Sequence, residues 1–377
     1  MKEKIRAVLR NHFINLRGIR TDKKIVVIES DDWGAVRSPS SGVIKELKKQ
    51  GFNTEKSHYM QNDSLASEAD LEKLFSTLKC VKDHKGDFPI ITANTILANP
   101  DFEKIETNGF DEYHFEWFTE TLKKYPEHSN SFDLWSLGIK DGYFYPQLHG
   151  REHLQVQRWL RDLKAGNHAT KTAFGMGYCG LDPVHSDEIE LSYLPAYDYQ
   201  YSDELGFISK SIREASSKFE ELFGYKSKSF VAPNYIWNQE IEKILYSCEI
   251  KYIQSGRVQF FPEIESKNKK YIRHYTGEKN RLGQIYSVRN CSFEPSSDRR
   301  VNWVAKCINE IRTAFLWKKP AVIESHRVNY VGFINEENRE ISLKLLRMLL
   351  AKIVEEWPEV EFLSSDQLGN FIDNSYT

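Results

Sequence analysis

Asp31 and Asp32 stand side by side after the run KIVVIES (residues 24–30), and His149 and His153 stand four residues apart in HGREH. Together these four side chains have the makings of a metal site. Two adjacent buried aspartates are costly alone, because desolvation and like-charge repulsion both oppose ionisation. A cation removes most of that cost. Alternate positions at a strand end point in different directions, so Asp32 is read as the better ligand and Asp31 as the better base. Histidines four apart fall on one side of a helix. Two imidazoles and one carboxylate leave a position open for water, as in catalytic rather than structural sites. Such a donor set suits Zn2+, with Co2+, Ni2+ or Mn2+ as substitutes.

A β-branched run ending in Asp-Asp and followed by Trp33-Gly34 reads as a core strand delivering charge to its C-terminal edge, where parallel sheets keep their chemistry. Further strands are expected at 88–97, 228–233, 250–255, 320–326 and 360–364, and helices at 41–51, 151–164, 203–223, 238–247, 299–316 and 337–356. His149 ends YFYPQLH, and His153 falls on or just inside the helix over 151–164. This alternation indicates parallel βα units, and polar residues at the strand ends favour a (β/α) barrel over a short open sheet. The Tyr-, Phe- and Trp-rich stretch at about 98–148 is expected to form excursions over the active face. Residues 257–298 leave short antiparallel strands and long loops both open. Without a linker or repeat, residues 1–377 are expected to form a single domain.

Lys plus Arg number 52 against 54 Asp plus Glu, a net charge of -2, which argues against a nucleic-acid partner. The basic run KNKK at 267–270 reads as solvated loop charge. Five cysteines, at 80, 179, 248, 291 and 307, form no CxxC pair and point to buried thiols rather than a disulfide framework. The basic amphipathic N-terminus carries no secretory h-region, and no run of 18 apolar residues marks a conventional membrane span. The chain as given reads as cytoplasmic; an exported form would have lost a leader.

Taken in order, these residues resemble the motifs of the polysaccharide deacetylase family, the NodB-type carbohydrate esterases. Glu29-Ser30-Asp31-Asp32-Trp33-Gly34 is similar to its first motif, His149 and His153 to its His-x-x-x-His, Phe230-Val231-Ala232-Pro233-Asn234-Tyr235 to its groove-wall motif, and Glu324-Ser325-His326 to its late Leu-x-His. The resemblance implies a distorted (β/α) barrel of seven strands and removal of acetyl groups, N-acetyl above all, from a sugar or polysaccharide. It implies Asp31 as general base, His326 as general acid, and Asp32, His149 and His153 as metal ligands. Two departures stand out. The family's wall arginine is replaced by Val231, so that Arg37 or Arg151 would have to hold Asp31. The separation of 117 positions from Asp32 to His149 also implies a large insertion. Gln254 follows a suitable strand for the family's fourth motif, which is not otherwise placed.

Trp33, Pro233, Tyr235, Trp237 and Tyr330 are candidate substrate contacts, the aromatic rings offering faces on which a sugar could stack. Two other readings remain. HGREH also fits the His-x-x-Glu-His of inverted zinc peptidases, with Glu152 as base, although Gly150 and Pro146 suit a strand-to-helix junction better. The loss of arginine at Val231 is the motive for a catalytically inactive carbohydrate-binding relative. His58, His84, His114, His128, His168, His185 and His274 read as ordinary surface or hydrogen-bonded histidines, and Phe174-Gly175-Met176-Gly177-Tyr178 as a turn near the active face.

Overall fold

Every residue of Ile25–Trp33 is buried, as expected of a parallel strand covered on both faces. In the computed structural model, which describes residues 9–265 and 270–375, this strand (β1) lies inside a sheet whose paired strands are all parallel. The others are β2 (Ile91–Ile96), β3 (Phe144–Gly150), β4 (Ser229–Val231), β5 (Tyr252–Ser255), β6 (Ile285–Val288), β7 (Cys291–Ser292), β8 (Ala321–His326) and β9 (Glu361–Leu363). Their order is β6-β5-β4-β3-β2-β1-β8-β7, with β9 paired to β1.

The sheet is open, since no ladder joins β6 to β7 among the described residues. Only two residues separate Val288 from Cys291, however, and three Cα steps span at most about 11 Å. The two edges of the path must therefore curl toward one another. Helices including Glu204–Phe223, Trp303–Leu316 and Glu336–Glu356 flank the curl, giving an open (β/α) barrel of generic type.

Seven strands were expected, and the path holds eight with a ninth beside it. The additional ones are short. Cys291–Ser292 is a two-residue strand, too brief for an alternation pattern, and Ile285–Val288 lies in the region left undecided between hairpin and loop. That region holds both kinds of structure, for Val258–Phe260 also pairs antiparallel with Tyr271–Arg273. Strand β9 runs beside only the first residues of β1, where Ile25 faces Glu361, and β2 begins farther along, where Ile28 faces Ile91.

Between β3 and β4 the ladder shrinks to the pair Leu148 and Phe230. The Gln147 side-chain oxygen fills the gap by accepting from the Lys228 and Ser229 backbone N–H groups at 3.1 and 2.8 Å. Two apolar bodies support the barrel mouth: the main core, and a smaller cluster containing Leu47, Met60, Trp159, Leu163, Phe174 and Tyr193. The N-terminal basic segment continues as helix over residues 9–14. Its first eight residues, and positions 267–269 of the basic run, lie outside the described residues. No helix among the described residues is long and apolar enough to cross a membrane.

Candidate active site

The C-terminal ends of β1, β3 and β8 deliver their polar residues to one cavity of about 520 Å³, lined by Asp31, Asp32, His149, His153, Glu324 and His326 among others. Strand register accounts for part of this, because Asp31 lies directly opposite His326. The next residue breaks the pattern. Asp32 has φ 73°, an uncommon conformation for a residue with a Cβ, and the β1–β2 register shifts between Ser30 and Trp33. Consecutive aspartates thereby take different tasks. Gly34 completes the turn at φ +84°, where a Cβ would come within 2.2 Å of the Ile96 carbonyl oxygen.

Asp32, His149 and His153 form a compact cluster whose ligand atoms all lie within 4.8 Å of one another. His149 Nε2 and His153 Nε2 approach Asp32 Oδ1 at 3.6 and 3.4 Å. The two histidines do not share a helix. His149 belongs to β3, His153 to the turn after it, and the helix starts only at Val156 with Gln155 as its cap. The expected helix over 151–164 begins late because Gly150, at φ +139°, turns the chain off the strand, and a Cβ there would meet the Tyr197 hydroxyl at 2.7 Å. The Nδ1 of His149 lies 2.8 Å from the Val231 carbonyl. A carbonyl only accepts, so Nδ1 carries the proton and Nε2 is left as a donor atom for a metal. The position that lacks the expected arginine thus orients a ligand through its backbone.

The residues fit a divalent cation. Asp32 Oδ1 is buried and has no hydrogen-bond partner, a costly state that coordination would relieve. Burial opposes ionisation of Asp32, but the charge of Arg37 beside it holds its carboxyl well below the usual range. Burial lowers His153 to about 3, which leaves the imidazole neutral, as a ligand must be.

Neither Arg37 nor Arg151 holds Asp31. Arg37 sits 3.9 Å from Asp32 and 3.2 Å from His153 Nδ1. Arg151 is spent on Glu152 and Glu214, under the Phe115 ring. These contacts take Glu152, the base of the peptidase reading, away from the cavity and into an ion pair. The arginine on Asp31 is Arg289, just past β6. Its Nη1 and Nη2 each donate to one carboxylate oxygen at 2.7 Å, and its Nε bonds Glu29 at 2.7 Å. Asn94 adds a bond of 2.7 Å. Burial would raise the Asp31 pKa, but the charge and hydrogen bonds of Arg289 outweigh it and keep Asp31 ionised.

On the other side of Asp31, 3.9 Å away, is His326 Nε2. The His326 Nδ1 pairs with Glu294 at 2.6 Å, and Asn329 fixes the other Glu294 oxygen at 2.7 Å. Burial alone would favour the neutral ring; the carboxylates of Glu294, Asp31 and Asp32 win and raise His326 to about 10.

Of the five candidate substrate contacts, only Tyr235 lines the cavity. Its hydroxyl donates to Glu324 at 2.5 Å and accepts from Arg289 at 2.9 Å. Trp33 is packed in the core against Phe144, with its indole N–H on Ser30 at 2.9 Å. Pro233 is buried in the turn that presents Asn234 and Tyr235. Trp237 and Tyr330 are buried and bond Glu242 and Ser325. Conversely, His58 and His185, read as ordinary surface or hydrogen-bonded histidines, line the cavity, with His185 accepting the Asp182 N–H. They and the clamp residues Arg289 and Glu294 carried no motif of their own; the sole signal for the arginine was that Val231 had left its task vacant.

The glycosyl hydrolase family 57 model matches residues 190–288, fewer than half of the chain. No curated protein matches the sequence. Among solved structures, the 4-alpha-glucanotransferase from Thermococcus litoralis is similar at 13% identity and TM-score 0.44, over 91% of this chain and 39% of that one. The chain thus spans about two fifths of the glucanotransferase. The GH57-type branching enzyme from Pyrococcus horikoshii is similar at 11% identity and TM-score 0.45, over 94% and 70% of the respective chains. A probable polysaccharide deacetylase from Pseudomonas aeruginosa follows at 12% identity and TM-score 0.40, over 93% and 91%. At such values these structural likenesses assign neither family nor activity.

The family match overturns the deacetylase assignment and the acetyl-removing activity drawn from it. It names glycosyl hydrolases, and it includes the wall segment Phe230–Tyr235 on which the resemblance partly rested. The misreading has a physical origin. Any parallel barrel brings its strand ends to one mouth, so Asp-Asp, a histidine pair, a Pro-x-Tyr wall and a late histidine can follow one another without marking one family.

Proposed function

We propose that the chain is a metal-dependent hydrolase acting on a carbohydrate at the mouth of its barrel. The observation that carries this reading is the meeting, in one cavity, of the Asp32–His149–His153 cluster with a clamped aspartate and a charged histidine. The similarity of residues 190–288 to glycosyl hydrolase family 57 supports the substrate class. Two nitrogen donors and one oxygen suit Zn2+ best, with Co2+, Ni2+ and Mn2+ able to substitute. When bound, such an ion supplies Lewis acidity and a water acidic enough to attack near neutral pH.

The chain's own residues do the rest. Asp31, held ionised by Arg289, is available to accept a proton at every physiological pH. His326, kept charged by Glu294, donates a proton to the leaving atom. Tyr235 and Arg289 hold Glu324 at the edge of the cavity, where its carboxylate orients substrate hydroxyls.

A second reading uses Asp31 and Glu324 as the two carboxylates of glycosidic-bond cleavage without a metal. It is favoured by the family match and by their shared neighbour, Arg289 Nη1, at 2.7 and 3.9 Å. The test is mass-spectrometric product analysis on a panel of neutral, acidic and modified oligosaccharides, using native, chelator-treated and zinc-restored protein. Turnover lost on chelation and regained with zinc supports the metal-dependent reading. New reducing ends formed equally well after chelation would overturn it in favour of the second.

A further inference from the structure

Two excursions close one side of the cavity. One contains the turn Thr54–Lys56 and the short helix His58–Asn62; the other is the loop at 182–185. The Asn53 backbone N–H ties them together by donating to the His185 carbonyl at 2.9 Å. Beneath them, Phe52 and Met60 of the first excursion share an apolar cluster with Leu181 and Ile189, which bracket the second.

This wall carries unused hydrogen-bonding capacity. His185 is 3% exposed, and its Nδ1 accepts the Asp182 N–H at 3.1 Å. The neutral ring therefore holds its proton on Nε2. That Nε2 is buried without a partner, and so is the Nε2 of His58. Burial pushes His58 down to about 4 and lowers His185 as well, so both rings are neutral near pH 7. A buried polar group left unpaired is costly, and two beside one cavity call for a ligand. Positive charge stands next to them: Lys56 makes no ion pair among the described residues, and the one carboxylate within ion-pair distance of Arg37 among them is Asp32, at 3.9 Å, its other polar contact being His153 Nδ1 at 3.2 Å. The opposing charge on this wall is Asp182, whose Oδ1 accepts the Val184 N–H at 3.2 Å. Two cations and the His185 ring N–H are matched by a group with several acceptor lone pairs and no hydrogens, better than by a sugar hydroxyl.

We propose that this wall is a subsite for an anionic oxygen group carried by the substrate sugar, a carboxylate or sulfate, held by Lys56, Arg37 and the Nε2–H of His185, with His58 beside them. The inference rests on the carbohydrate reading of the cavity and narrows it to acidic sugars. Binding of glucuronate, glucose 6-sulfate and glucose to the zinc-treated full chain at pH 7 tests it by calorimetry, with zinc content measured on the same samples. At least one charged sugar should bind about tenfold more tightly than glucose, a difference of about 1.4 kcal/mol. Lys56→Ala, an exposed change that spares the fold, and His185→Gln should each remove most of that preference without altering zinc content. Equal affinity for charged and neutral sugars, no binding of any probe, or a preference untouched by both variants would overturn the subsite. A preference that persists in protein holding no zinc would uphold the subsite and refute the metal-dependent reading.

Discussion

Arg289 grips Asp31 with two parallel hydrogen bonds of 2.7 Å, one to each carboxylate oxygen, from a strand end 258 residues away in sequence. A two-pronged guanidinium–carboxylate pair fixes orientation as well as charge. It gives Asp31 a direction that Asp32, its neighbour in sequence, does not share.

Removing one partner of a buried pair leaves the other charge exposed to a low-dielectric interior. Arg289→Gln is therefore expected to destabilise the fold by about 3–5 kcal/mol, read as a shift of the denaturant midpoint. Arg289→Lys keeps the charge but not the fork and should recover part of the stability. If both variants unfold like wild type, the clamp has no energetic importance.

Glu294 governs the state of His326. In metal-depleted protein the ring should titrate near 10 by NMR, and Glu294→Gln should bring it down toward the ordinary histidine value of 6.5. The sign follows from the raised pKa: the stabilisation is complete below about 6.5 and disappears as pH rises through about 10. The stability advantage of wild type over Glu294→Gln should accordingly shrink on the alkaline side and persist at pH 6. An unshifted ring in the variant would show that Glu294 is not the cause.

Arg37 is a fixed cation 3.9 Å from Asp32, and a divalent ion at the same carboxylate must coexist with it. Arg37→Gln removes that repulsion and should tighten zinc binding by roughly tenfold or more, measured by competition with a chromophoric chelator. Weaker zinc binding in this variant would mean that Arg37 supports the ligands instead of opposing the ion.

Trp33 separates core from site. Its ring is 1% exposed and meets Trp135 and Phe144 edge-on, so Trp33→Ala should cost about 3–5 kcal/mol of stability. Tyr235→Phe, in contrast, should lower turnover while costing only about 0.5–1.5 kcal/mol. Reversed outcomes would return Trp33 to the substrate contacts.

What could be read from the chain follows the range of the interactions involved. The β-branched run before Asp31, the strand before His326 and the long helix at 336–356 announce themselves through local pattern, and parallel βα alternation led to the barrel. The histidine pair was found by spacing, yet the helix invoked to join it was wrong, because Gly150 turns the chain and Gln155 caps the helix only afterwards. Arg289, Glu294, His58 and His185 reach the site through tertiary contacts between elements far apart in sequence, and nothing beside them signals their role. Trp33, Trp237 and Tyr330 were misplaced for a related reason: an aromatic next to a motif has the same local signature whether it stacks on a sugar or fills the core. The order of motifs misled most, since barrel geometry generates that order without common chemistry.

Asp32, His149 and His153 are proposed to hold a single metal ion, separate from the proton-transfer pair Asp31 and His326. Zinc stoichiometry on purified, refolded-competent protein, measured by elemental analysis after saturation and desalting, tests it most directly across wild type, Asp32→Asn, His149→Ala, His153→Ala, Asp31→Asn and His326→Ala. One ion per chain is expected in wild type and in the Asp31 and His326 variants, and little or none in the other three. Equal zinc in all six proteins, or none in wild type, would contradict the account.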